Sequence, residues 1–197
     1  MKMSRKGIVL AVTALVAVMA LVGAGTALAG VWKKGGSELK EKITLSMTGG
    51  EFIEIEGGAS AFSCSTTETM TTSGGSTASV TAFAVNKTSC EGFSGKFKGC
   101  TVASATPKTL PWGVTVNTTT LTVANAGVKY TMNTGCSISS VETNFPALTL
   151  TPEEPTSIVF FHFGQTGTGK INGVSASVTS GGTWLLSEAD FNKYGIG

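Results

Sequence analysis

AFSCSTTETMTTSGGSTASVTAFAVN, residues 61–86, sets two alternating runs on either side of Ser73-Gly74-Gly75-Ser76. Thr, Val and Phe suit a pleated, half-buried surface. The glycine pair can adopt the positive φ that tight hairpin turns demand. The stretch therefore reads as a β-hairpin. In its second run Val80, Ala82 and Ala84 alternate with Thr81, Phe83 and Val85, so both faces carry apolar groups. Such a strand is expected to lie inside a sheet, with neighbours on both sides.

The same composition extends outward. In KITLSM, Ile43, Leu45 and Met47 share one face, and FIEIE, following Gly49-Gly50, reads as its hairpin partner. Further strands are expected over 101–106, 113–116, 119–124, 128–132, 137–141, 147–150, 157–163, 170–179 and 183–187. Strands at intervals of about 8–12 residues, separated by Gly, Asn or Pro, predict a two-sheet antiparallel sandwich or a jelly-roll-like domain. Helical signal is confined to SEADFNKYG, where Ser187 can cap one turn with Asp190 as the capping-box acid. A last strand over 191–196 is the alternative.

Lys2, Arg5 and Lys6 precede an apolar run, Ile8 to Val22, and small residues ending in Ala27-Leu28-Ala29. That order of charge, apolar stretch and small residues predicts a secretory signal peptide over 1–29. The run is shorter than the roughly 20 residues of a spanning helix, and an uncleaved anchor, with membrane contact through this segment alone, is the alternative. Removal of 29 of the 197 residues would leave 168, one domain in size. Residues 30–41, containing Gly35-Gly36, read as a mobile leader, and 42–197 as a single β domain. The three basic residues of the signal leave 11 of the 14 cations against 12 acids, and no arginine. A near-neutral chain without arginine offers no electrostatic footprint for nucleic acid.

Cys64, Cys90, Cys100 and Cys136 make an even number in a chain expected outside the cytoplasm, which favours two disulfides. Cys90 and Cys100 flank EGFSGKFKG, so a bridge between them could close a tight hairpin and leave Cys64 to Cys136. The sequential pairing, Cys64 to Cys90 and Cys100 to Cys136, fits nearly as well. No C-x-x-C is present and His162 is the sole histidine, so zinc is not expected.

Candidate chemistry is sparse. Gly164-Gln165-Thr166-Gly167-Thr168-Gly169-Lys170 fits seven places of the phosphate-loop pattern G-x-x-x-x-G-K-[ST]. Ile171 occupies the hydroxyl position, however, and Asn172-Gly173 would break the helix that must follow. A glycine-rich connection between antiparallel strands is the expected reading, with no nucleotide. His162, among Ile158, Phe160 and Phe163, reads as a structural histidine near a strand end, partly buried. Glu51, Glu54, Glu56 and Glu153-Glu154 are the acid clusters. Glu54 and Glu56 could share a strand face about 7 Å apart, a separation within the range of glycosidase carboxylates, or could face solvent. Trp112, after Leu110-Pro111, is the candidate ring for stacking on a sugar, or else a core residue with Trp184. Asn86-Lys87-Thr88 and Asn117-Thr118-Thr119 match the glycosylation pattern, which is frequent by chance in a Thr-rich chain.

GCTVASATPKTLPW, residues 99–112, together with NKTSCEGFSGKFKG and the closing YGIG, resembles uncharacterised secreted Thr/Gly-rich, four-cysteine β proteins of Actinobacteria. The resemblance implies an extracytoplasmic β domain and carries no catalytic residue. The expected function is accordingly that of an exported, non-enzymatic interaction or structural protein of the cell envelope. Its partner would be a cell-surface protein or polysaccharide, without cofactor or metal. A carbohydrate-binding module using Trp112 is the second reading, and a secreted hydrolase using Glu54 or His162 the third.

Overall fold

The structure is a computed structural model that describes residues 30–152, 159–187 and 193–197. The expected signal peptide, Glu153-Glu154 and the capped turn around Asp190 lie outside the described residues.

The chain is all-β, but its strands close on themselves instead of forming two sheets. In order they are β1 (Trp32–Lys34), β2 (Ser37–Glu38), β3 (Ile43–Ile55), β4 (Ser60–Thr72), β5 (Thr77–Ser94), β6 (Val102–Pro107), β7 (Trp112–Val116), β8 (Leu121–Ala126), β9 (Val128–Met132), β10 (Ser140–Pro152), β11 (Val159–Ile171), β12 (Val174–Leu186) and β13 (Tyr194–Ile196). β3, β4, β5, β7, β8, β10, β11 and β12 pair in that order, and β12 returns to β3 from Val178↔Ile55 to Leu186↔Met47. The result is an eight-stranded antiparallel barrel, and the expected sandwich or jelly roll is corrected to it. Closure pairs the edges that an open sheet would expose. β6 pairs with β9 as β7 pairs with β8, so residues 102–132 form one long interrupted hairpin.

Glycine explains why the strands were expected to be short. Gly49-Gly50 is no turn; it lies inside the 13-residue β3. A Cβ on Gly49 would overlap the carbonyl oxygen of Thr183 on β12, so the residue permits close strand approach. Gly167 and Gly169 do the same for β10, where a Cβ would meet the carbonyls of Asn144 and Glu142. Gly49→Ala is therefore expected to cost about 2–3 kcal/mol by overpacking. Gly113→Ala, with nothing within 4 Å of the added methyl, should be nearly neutral. Equal urea midpoints for the two variants would refute this account of barrel closure.

The hairpin read from 61–86 is present, with Thr72↔Ala78 beside the turn and Gly74 and Gly75 at φ 90° and 64°. The small sheet β13–β1–β2 lies across that end of the barrel. Trp32 N–H donates to Gly75 O at 3.0 Å, and Trp32 is 1% exposed. Within the expected leader, residues 32–34 and 37–38 are thus strands, joined by a turn at Gly35-Gly36. At the opposite end sit both disulfides, Cys64–Cys90 and Cys100–Cys136. The Cys90–Cys100 loop bridge is corrected to the sequential pairing. β5 continues through Cys90 beside β4, bulging between Asn86 and Glu91, and this brings Cys90 to Cys64. Two disulfides fit an oxidising environment.

Candidate functional site

Alternation in the strands fills the barrel. Leu45, Met47, Glu51, Ile53 and Ile55 of β3 point inward, as do Phe62, Cys64, Thr66, Glu68 and Met70 of β4. Val178, Ser180, Trp184 and Leu186 do so from β12. A cavity of about 20 Å³ between Glu51, Tyr130, Thr143 and Trp184 is too small for an organic ligand. This barrel is packed with side chains, as eight strands allow.

His162 is not partly buried at a strand end; it is 2% exposed in the interior. Its Nε2 lies 2.9 Å from Ser180 Oγ, and Ser180 Oγ in turn donates to Glu51 Oε1. With the hydroxyl proton given to Glu51, Ser180 accepts from His162 Nε2–H. His162 Nδ1 has no partner. Gly182 makes the arrangement possible, because a Cβ there would crowd both Glu51 Oε2 and His162 Cε1 at 3.1 Å. The order is acid, serine, histidine, whereas a nucleophile relay runs acid, histidine, serine. Ser180 is also fully buried, so the cluster is arranged as a packed polar network.

Glu68 is the second interior carboxyl, 2% exposed, with neither oxygen hydrogen-bonded. Burial pushes its pKa up to about 8; Thr66 opposes the shift and the Glu51 charge adds to it. Burial likewise raises the Tyr130 phenol well above its usual value, with Glu51 and Glu68 contributing. Among the described residues no group of three metal-ligating side chains converges.

The other expected site residues are separated. Trp112 is 2% exposed; its Nε1 donates to Lys108 O at 2.6 Å and its ring packs 5.2 Å from Phe83. In this position it cannot stack on a sugar, and it takes the core role that was its alternative. Glu56 sits in a 3-10 turn at the barrel end and pairs with Lys96. Glu54 faces outward from β3, so the two do not flank one cleft. The phosphate-loop match lies within β11 and leads to a two-residue turn, Asn172-Gly173, at φ 51° and 83°. No helix follows it.

What the sequence did not reveal is a groove of about 770 Å³ on the outer face of β3, β12 and β11. Phe52, Phe161 and Phe163 line it, Gly181-Gly182 forms the floor and Glu54 and Thr183 supply polar atoms. A β-bulge sets Phe163 and Gly164 opposite the single residue Gly181. Gly164, at φ 59°, takes the left-handed conformation that turns the strand, and Phe163 is left 90% exposed. The missing side chain at Gly181 opens the floor: a Cβ there would meet its nearest atom at 3.6 Å, an ordinary contact. The spacing of Phe161, Phe163 and Gly164 was a usable signal, because period 2 places both rings on one face.

No protein-family model matches the chain, and no curated protein or solved structure is significantly similar to it.

Proposed function

We propose that the protein is an extracytoplasmic, non-enzymatic binding protein whose closed barrel presents the Phe52–Phe161–Phe163 groove to a partner at the cell surface. The observation that carries this reading is the aromatic groove itself. Three phenylalanines line a concavity on the outside of a barrel whose interior is already filled. A ring left 90% exposed costs hydration free energy that a folded chain ordinarily avoids, and a rigid, concave apolar surface is the usual form of a binding site. The two disulfides are compatible with an extracellular scaffold. Non-enzymatic action is inferred from the buried cluster, in which Ser180 bonds Glu51 directly and His162 is enclosed.

The test is retention of the purified protein on insoluble wall material from the producing cells. Gly181→Val fills the groove with contacts that begin at ordinary distance. It should lower retention about tenfold or more, as loss of a central contact does, with unchanged thermal stability. Equal retention of the variant would remove the groove as the binding surface.

A further inference from the structure

The aromatic groove does not stand alone. A second cleft, of about 830 Å³, continues along the same two strands, with Gly167, Gly169 and Lys170 from β11 and Ser175 and Ser177 from β12. The first groove takes residues up to Gly164 of β11 and Thr179–Thr183 of β12, so the two clefts follow one another along the hairpin. In the second, exposed hydroxyls of Thr166, Thr168, Ser175 and Ser177 replace the rings. Alternate residues on a strand recur about every 7 Å, so hydroxyls on the two strands form a ladder leading away from the phenylalanines.

Resting on the binding-protein reading above, we propose that this track binds an extended neutral polysaccharide. Such a chain offers flat C–H faces to the phenyl rings and hydroxyl edges to the Ser/Thr ladder. Charge agrees with a neutral ligand. Glu142, the acid of the second cleft, is held by Lys108 at 3.2 Å and Lys129 at 3.4 Å. Glu54 in the first groove and Lys170 in the second balance. Among the described residues that line the two clefts, Lys108 and Lys170 are matched by Glu142 and Glu54, which leaves no excess of positive charge for a polyanion. A peptide added as a strand is disfavoured at the aromatic groove, because β12 pairs with β3 over 178–186 and the interruption between β11 and β10 is bridged by Gln165, whose side-chain amide bonds the backbone of Thr149.

The experiment is depletion of the purified protein by insoluble cellulose, xylan, mannan and chitin, with polygalacturonate as the acidic comparison, followed by titration with soluble oligosaccharides of the retaining polymer. Saturable binding to a neutral polymer is expected. Phe161→Ala with Phe163→Ala should weaken it about tenfold or more. Thr168→Val with Ser177→Ala should weaken long oligosaccharides severalfold and leave the shortest ones unchanged, because only long chains reach the second cleft. All four side chains are on the outer face, and unchanged melting temperatures will show that the barrel persists.

Preference for polygalacturonate, or indifference of long chains to the Thr168/Ser177 pair, would overturn the proposal. If no neutral glycan binds while Gly181→Val still abolishes retention on wall material, the glycan assignment fails and the binding-protein reading survives. If Gly181→Val changes neither, both fail.

Discussion

Replacing Cys100 and Cys136 together by alanine should lower the free energy of unfolding by about 4 kcal/mol, and replacing Cys64 and Cys90 by slightly less. The bridges span 36 and 26 residues. Closing loops of this size in the unfolded chain removes entropy equivalent to about 3–4 kcal/mol each. Against a usual net stability of about 5–15 kcal/mol, loss of both is a major fraction. Their place in the fold adds to the expectation. Cys64–Cys90 holds β4 to β5 across the bulge between Asn86 and Glu91, where the regular ladder is interrupted. Cys100–Cys136 ties the chain ahead of β6 to the loop after β9, at the open end of the long hairpin. Urea denaturation with and without reductant, on wild type and the two double variants, reads the effect. Coincident curves would show that the barrel stands without its bridges. The native oxidised protein should also resist thiol alkylation until it is unfolded and reduced.

The second large effect is expected from Glu68→Gln. The Glu68 carboxyl titrates near 8 in the barrel, because burial disfavours the carboxylate and Thr66 offsets only part of that effect, and near 4.5 when unfolded. Between those values the native state holds a proton that the unfolded state has released. Stability then falls as pH rises, and the contribution is fully present below about 4.5 and lost by about 8. The full span corresponds to several kcal/mol, on the order of 5. Glutamine has nearly the same shape and cannot ionise. The variant should match wild type near pH 4.5 and exceed it by several kcal/mol at pH 8.5. Groups common to both proteins cancel in the difference between denaturation curves at the two pH values. A constant difference across that range would mean that Glu68 is hydrated or paired in solution.

The interior acids were legible in part. Leu45, Met47, Ile53 and Ile55 share a phase with Glu51, and Phe62, Cys64 and Met70 share one with Glu68. Strict alternation therefore placed both carboxyls on the apolar face. The expectation instead followed Glu54 and Glu56, whose proximity in sequence resembled a catalytic pair. Reading Gly49-Gly50 as a turn broke β3 and hid its phase, because a glycine pair looks the same whether it reverses a chain or admits a neighbouring carbonyl. The disulfide pairing was also within reach: regular extension of the hairpin from Thr72↔Ala78 sets Ser65 opposite Val85, five residues from Cys90, and a one-residue shift between Thr69 and Met70 makes the partner Asn86. The bulge, which sets residues 87–90 of β5 against Cys64 alone, was not legible.

The β class, the 61–86 hairpin, the cysteines as bridge formers and the Asn172-Gly173 turn were legible in the order of residues, because alternation, positive-φ residues and thiol count act locally. Whether β12 would meet β3 depended on strand length, tilt and the glycines that let backbones cross, which are properties of all eight strands together. The packed interior, the burial of Trp112 and the meeting of His162, Ser180 and Glu51 follow from that closure. So does the outer groove, since Phe52 and Phe161 lie more than a hundred residues apart and become neighbours only when the last strands pair with the first.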